Sequence, residues 1–277
     1  MPTILPPLEK VEAIEVSKIY SVAGLLPTES PIIFDRPFRS PHHTISAAGL
    51  VGGGRVPRPG EISLSHNGVL FLDEFPEFQK HILEVLRQPM ESGDVTISRA
   101  HSSLTYPARF TLVAAMNPCP CGFHADAAME CVCSPGQIRK YRTRVSGPLL
   151  DRLDIHVEVP RLKKEELLET RIGERSETIK ERVQAARARQ LARFPGVRNA
   201  TNAGMGAGQA RQVCALSGAA MTFLDSALDR LGLSGRVFER VLKVSLTIAD
   251  LAGADAIEVD HIAEALQYRS FTWGVTV

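Results

Sequence analysis

Residues 69–72 are an uninterrupted apolar run, Val-Leu-Phe-Leu, entered through Asn67 and Gly68 and ended by two adjacent carboxylates, Asp73 and Glu74. A run without polar alternation fits a strand covered on both faces in a parallel sheet. Beyond it, Phe78, Ile82, Val85 and Leu86 share one helical face over residues 77–88, and Pro89 predicts the end of that helix. Residues 94–98 and 104–106 read as two short strands joined through a polar connection, a β-hairpin. Residues 110–116 predict a second buried strand that stops at Asn117 and Pro118. Gly147-Pro148 opens a short helical turn, LLDRLD, which leads into a third strand at 155–159.

From Lys163 onward the spacing is helical, with helices expected at 178–194, 209–216, 219–231, 236–251 and 259–268 and a Gly/Asn/Ala-rich loop at 195–208. The expected organisation is therefore an α/β domain over residues 1–162, followed by a linker and a small helical domain over 163–277.

Composition changes this picture little. The 277 residues are 44% hydrophobic and 23% charged, ordinary values for a globular protein, and the net charge of +1 gives no support for a generally polycationic surface. Any nucleic-acid contact has to come from local basic patches. The N-terminus lacks a basic start followed by an apolar stretch, and no run of about 18 apolar residues occurs, so a cytoplasmic protein without a membrane span is expected.

The candidate chemistry sits where the apolar runs end. In open α/β sheets ligands bind at the carboxyl ends of strands. An aspartate there, Asp73, can hold Mg²⁺, and the next carboxylate, Glu74, can polarise the water that attacks a γ-phosphate. The same two acids also suit the solvated N-terminus of a following helix. Four of the five cysteines crowd into a C-x-C pair, Cys119 and Cys121, and a second, Cys131 and Cys133, enough thiolates for a structural Zn²⁺, with His124 a substitute ligand. A redox pair and unligated thiols are the alternatives, and Cys214 reads as a core residue. Basic side chains gather at Arg36, Arg39, His42, His43, Arg55 and Arg58, and again at Arg99 and His101 on the hairpin. Lys180, Arg182, Arg187, Arg189 and Arg193 alternate with acids and apolar residues, which predicts a packing helix more than a DNA-binding one.

Four separated stretches, PRPGEISLSHNGVLFLDEFPEF, FTLVAAMNPCPCG, SGPLLDRLDIHVEVP and GLSGRVFERVLKVSLTIADL, give the chain a resemblance over essentially its whole length to the magnesium-chelatase-subunit-I-like branch of the AAA+ ATPases. Within that branch it most resembles the competence protein ComM (YifB) group. The resemblance implies a P-loop-type α/β core with a parallel sheet, a C-terminal helical lid, and a hexameric homo-oligomeric ring with ATP and Mg²⁺ at subunit interfaces. By the same resemblance Asp73 and Glu74 match Walker B, Asn117 matches sensor 1, Arg152 matches the arginine finger, and Arg236 matches sensor 2, with Arg240 one turn on as its competitor. Each has a plainer role open to it: Asn117 as a strand terminator, Arg152 as a partner of Asp151 or Asp154, Arg236 as a solvated helix start. The stretch at about 35–60 corresponds to a helix-2 insert and that at about 94–107 to a pre-sensor-1 hairpin, whose Arg55, Arg99 and His101 would meet DNA or a protein client. The implied activity is ATP hydrolysis coupled to DNA remodelling, as helicase or branch-migration work in natural transformation. A MoxR- or chelatase-like remodelling or metal-insertion ATPase, and a non-enzymatic interaction module, are the alternatives.

One departure from the family pattern stands out. The chain contains no G-x-x-x-x-G-K-[ST], whose N–H groups and lysine cradle phosphates, and its glycine cluster at 49–60 carries Arg55 in place of that lysine and reads as a flexible insertion loop. In the family this loop, and before it a Lon-like domain, lie upstream of the segment that residues 2–8 resemble. These 277 residues alone are expected to bind ATP poorly and to hydrolyse little or none.

Overall fold

The computed structural model describes residues 1–54, 56–99, 102–126, 128–162, 173–197, 200–231 and 235–269. Apart from the first six residues, the chain divides into two compact units, Pro7–Leu153 and Asp154–Val277.

The strands of the first unit are β1 (Phe38–Arg39), β2 (Gly52–Gly53), β3 (Arg58–Pro59), β4 (Val69–Leu72), β5 (Asp94–Arg99), β6 (Ser102–Pro107) and β7 (Thr111–Ala114). Its helices are α1 (Lys10–Ala23), α2 (Ala47–Val51), α3 (Glu61–Leu64), α4 (Lys80–Glu84), α5 (Arg87–Ser92), α6 (Pro135–Arg142) and α7 (Gly147–Leu150). The chain is α/β, and its main sheet is parallel with the order β1-β4-β7. In register, Val69 lies opposite Phe38 on one side and Thr111 on the other, and Leu72 opposite Ala114. Gly68 makes the entry into β4 feasible. A Cβ there would sit 2.1 Å from the carbonyl oxygen of Pro37, which itself accepts the N–H of Val69 at 2.8 Å.

The apolar run of β4 drives the core. Leu70 and Leu72 are fully buried among Phe75, Phe78, Ile82, Leu86, Val95, Ile97 and Leu149. Each such side chain contributes about 1.5–3 kcal/mol by leaving water. Phe71 stacks on Phe38 with ring centroids 6.0 Å apart. The hairpin β5–β6 is antiparallel from Asp94 opposite Pro107 to Arg99 opposite Ser102, with Thr96 bonded to Thr105 at 2.9 Å on its exposed face.

Four local expectations need correction. The helix foreseen over residues 77–88 is a 3-10 turn, Phe75–Glu77, followed by α4 and α5, and Pro89 lies inside α5. At the third position of a helix the missing N–H costs nothing, because it has no helical acceptor there. Strand β7 is half-buried instead of fully buried, because it is the end strand of the sheet and pairs only with β4 among the described residues. Residues 155–159 form no strand; Ile155, Val157 and Val159 are exposed. The glycine cluster is no open loop: it folds into the end of α2 and the β2–β3 hairpin, where Gly52 has φ 107° and a Cβ would meet the Arg58 carbonyl at 2.4 Å.

The second unit contains α8 (Ser176–Arg193), α9 (Ala207–Val213), α10 (Gly218–Leu231), α11 (Gly235–Ala252) and α12 (Val259–Gln267). Its core is the inner face of α11, Val241, Leu242, Leu246 and Ala249, packed with Leu224, Ile257 and Ile262. The basic helix α8 commits three of its arginines to contacts within this unit, while Arg182 pairs with Glu174 on the surface. Arg193 donates to Asp250 at 2.6 and 3.0 Å, Arg187 to the Ala200 carbonyl at 2.9 Å, and Arg189 to Asp255 at 2.7 Å. Among the described residues no helix is long and apolar enough to cross a membrane.

Candidate functional site

The β4–β7 ladder continues past both strands: Ala115 donates to the Leu72 carbonyl and Phe75 to the Ala115 carbonyl, each at 2.9 Å. Asp73 and Glu74 therefore leave the carboxyl end of β4 beside the chain that leads from β7 to Asn117. All three side chains are exposed. Parallel pairing thus brings an acidic pair and an amide to one rim of the sheet, where open α/β folds bind ligands.

Glu74 occupies the left-handed region, φ 51° and ψ 43°, a conformation that costs a non-glycine residue about 1–2 kcal/mol. Asp73 supports the turn by accepting the Glu74 N–H on Oδ1 at 2.8 Å. Neither acid caps a following α-helix, since a 3-10 turn begins directly at Phe75, and Glu74 makes no side-chain cap bond to it. The carboxylate of Glu74 instead contacts His43, Nδ1 to Oε2 at 2.9 Å. His43 lies against His42, with centroids 4.1 Å apart and the rings tilted by 34°, and meets Phe78 edge-on at 6.3 Å. Spacing alone could not reveal this partner, because His43 lies far from Glu74 along the chain. The paired histidines before α2 were the only signal.

Arg152 does not pair with Asp151 or Asp154. It stands at the end of α7, where its guanidinium meets Glu91 of α5 and the Pro148 carbonyl. Asp154 is contacted by Arg240 at 3.5 Å. Arg236 is exposed near the start of α11. Arg144, which sequence reasoning passed over, donates to Glu77 at 2.7 Å and to the Pro76 carbonyl at 3.2 Å, bracing the turn after the acidic pair. Of the insert's cations, Arg36 and Arg39 are already committed: Arg36 to Glu12 at 2.8 Å and Arg39 to Glu61 at 2.6 Å. His42 and Arg58 are exposed. Arg55 and His101 lie outside the described residues, as does the side chain of Arg99.

The Sγ atoms of Cys119, Cys121, Cys131 and Cys133 all lie within 4.8 Å of one another, a set of soft donors that could hold a metal ion. The backbone N–H of Phe123 donates toward Cys121 and draws its thiol below the ordinary cysteine range. His124 is not part of the set. Cys214 is buried, its thiol directed to the Leu242 carbonyl at 3.8 Å, and burial pushes its pKa up to about 11.

Comparison with known families agrees with this architecture. Residues 1–167 match the family "Magnesium chelatase, subunit ChlI", and residues 173–269 match "Magnesium chelatase, subunit ChlI C-terminal". The chain belongs to the magnesium chelatase subunit ChlI family. Among relatives within this family's reach, the uncharacterized protein YifB of Escherichia coli is 46% identical over 268 residues, covering 96% of this chain and 52% of YifB. The competence protein ComM of Haemophilus influenzae is 45% identical over 274 residues, covering 96% of this chain and 51% of ComM. The magnesium-chelatase subunit ChlI of Cyanophora paradoxa is 29% identical over 128 residues, covering 46% of this chain and 30% of ChlI. The chain spans about half the length of YifB and ComM.

Proposed function

We propose that this ChlI-family chain is the ATPase core of a DNA-remodelling motor of the ComM type, working as a hexameric ring in the cytoplasm. The observation that carries the reading is the emergence of Asp73, Glu74 and Asn117 from the same end of adjacent parallel strands. The set fits nucleotide chemistry: two exposed carboxylates offer hard oxygen donors for Mg²⁺. Bound MgATP would supply the γ-phosphoryl group and the charge that neutralises it.

The chain's own residues do the rest. Asp73 has Oδ2 left to offer once Oδ1 has taken the Glu74 N–H. Glu74 orients and polarises the attacking water after its carboxylate leaves His43, and Asn117 positions that water from the neighbouring strand end. Arg152, released from Glu91, serves the nucleotide of the next subunit, and Arg236 is the sensor-2 residue by family resemblance. Fingers of this kind are worth roughly 10³–10⁵ in rate. The hairpin β5–β6, with Arg99 and His101, and Arg55 of the insert are the DNA contacts in this reading.

The test is a chimera in which these 277 residues replace the segment they match in Haemophilus influenzae ComM. DNA-stimulated ATP turnover is expected, with Glu74→Gln retaining nucleotide but losing roughly 10²–10⁴-fold in turnover. An assembled, ATP-binding chimera whose turnover is unmoved by Glu74→Gln defeats the reading. The ChlI likeness favours a second reading, metal insertion or protein remodelling. Under it, turnover ignores DNA, and no salt-sensitive binding from phosphate contacts is seen. The 277 residues alone are expected to turn over ATP at background for want of the phosphate-loop lysine.

A further inference from the structure

Nothing in the nucleotide reading uses the four clustered thiols. Cys119 and Cys121 have their sulfurs 3.4 Å apart, Cys119 and Cys131 3.7 Å, and Cys121 and Cys131 3.6 Å. A disulfide would require about 2.05 Å. Four sulfurs around one tetrahedral ion, at metal–sulfur distances of about 2.3 Å, lie about 3.8 Å from one another. These three separations match the second geometry, and the sulfur of Cys133 lies within 4.8 Å of the other three.

Local structure explains how so tight a spacing as C-x-C achieves this. Pro120 occupies the second position of a turn closed by Gly122 N–H to Cys119 carbonyl at 3.0 Å, and Gly122, at φ 85°, lets the chain double back. The second pair arrives from the other end of the loop, with Cys133 directly before Ser134, the N-cap of α6. Ser134 and Gln137 form a capping box that sets the direction in which the chain enters the helix.

We propose that Cys119, Cys121, Cys131 and Cys133 bind one Zn²⁺ as a closed tetrathiolate site that staples the end of β7 to the start of α6. Four protein ligands leave no open coordination position, so the role is structural. Thiolates select zinc over the hard cations of nucleotide sites. The staple has a second arm without metal: Arg142 of α6 donates to the Pro118 carbonyl at 3.2 Å. Together the two arms close a ring of structure around Asn117-Pro118. The proposal concerns metal binding alone and stands whether or not the chain hydrolyses ATP.

The experiment is metal analysis of the 277-residue protein purified without chelator, then replacement of the bound metal by Co²⁺. About one zinc per chain is expected, and the cobalt form should show the thiolate charge-transfer and intense visible bands of a tetrahedral site. Zinc should slow alkylation of the four thiols at least tenfold and leave Cys214 unaffected. Cys131→Ser/Cys133→Ser should lose the metal. Because that variant can misfold, the alkylation comparison on the unaltered protein decides. Folded protein with negligible metal, no cobalt–thiolate band and four thiols alkylated equally fast with and without zinc overturns the proposal, and iron on the same thiols overturns the choice of zinc.

Discussion

Asp250 offers the sharpest test of how the basic helix α8 is used. Its carboxylate is fully buried and accepts Arg193 at 2.6 and 3.0 Å and Asn202 at 2.8 Å, with the Arg189 Nε 3.6 Å away. Asp250→Ala leaves the Arg193 guanidinium, whose side chain is only 20% exposed, with Asn202 Oδ1 at 2.8 Å as its remaining partner, and takes an acceptor from the Asn202 amide. Deleting one partner of a buried pair costs about 3–5 kcal/mol. Two facts pull the value toward the lower end: water reaches part of Arg193, and Asn202 keeps its bond to Thr247 at 3.1 Å. The expected loss is therefore about 3 kcal/mol for Asp250→Ala, and about 2 for Asp250→Asn, which keeps the shape and one acceptor. Arg193→Ala should cost a similar amount, and the double variant much less than the sum, giving a coupling of at least about 1.5 kcal/mol. The assay is urea unfolding followed by far-UV circular dichroism for all four proteins. Coupling below about 0.5 kcal/mol, with Arg193→Ala instead weakening DNA binding in the chimera, would return α8 to the nucleic-acid surface and refute the packing assignment.

Gly68→Ala should destabilise the first unit by about 1–3 kcal/mol or more, seen as a lower urea midpoint, because its neighbour is a backbone carbonyl that cannot swing away. His66 is buried, accepts the Arg109 N–H on Nδ1 at 3.1 Å and faces Glu15 through Nε2 at 3.3 Å. Burial lowers its pKa, so below about pH 6.5 the unfolded chain takes up a proton that the folded one resists, and stability falls as pH drops. Unfolding midpoints between pH 7.5 and 5.5 should reveal this slope, and His66→Gln should flatten it; an unchanged slope would exonerate the histidine. Cys214, buried and with its pKa pushed up to about 11, should resist a thiol reagent at pH 8 until the protein is unfolded in denaturant.

What could be read before any coordinates was whatever depends on neighbours in sequence. Strand β4 was legible because its four apolar residues end at polar ones, and α10, α11 and α12 because each keeps a continuous apolar stripe. Contacts between distant residues were not legible. Arg36 and Arg39 look like free loop cations until Glu12 and Glu61 are found beside them. The partner of Arg152 was sought among adjacent acids, yet it is Glu91, on a different helix. Residues 155–159 alternate as a strand should, but strand formation needs a partner that local pattern cannot supply. The same limit applied to Glu74, whose identity marked it as chemically interesting while its histidine contact stayed hidden.

The end position of β7 has a bearing on handling the molecule. One flank of this strand is paired with β4, and no described strand pairs with the other, the position from which a sheet can be extended by a further strand. Copies meeting flank to flank would extend the sheet from molecule to molecule, and Thr111, exposed at the start of the strand, offers little charge to repel them. Concentration-dependent association is the expected outcome for an end strand of this kind, checked by sedimentation at rising concentration, and Thr111→Lys is expected to reduce it.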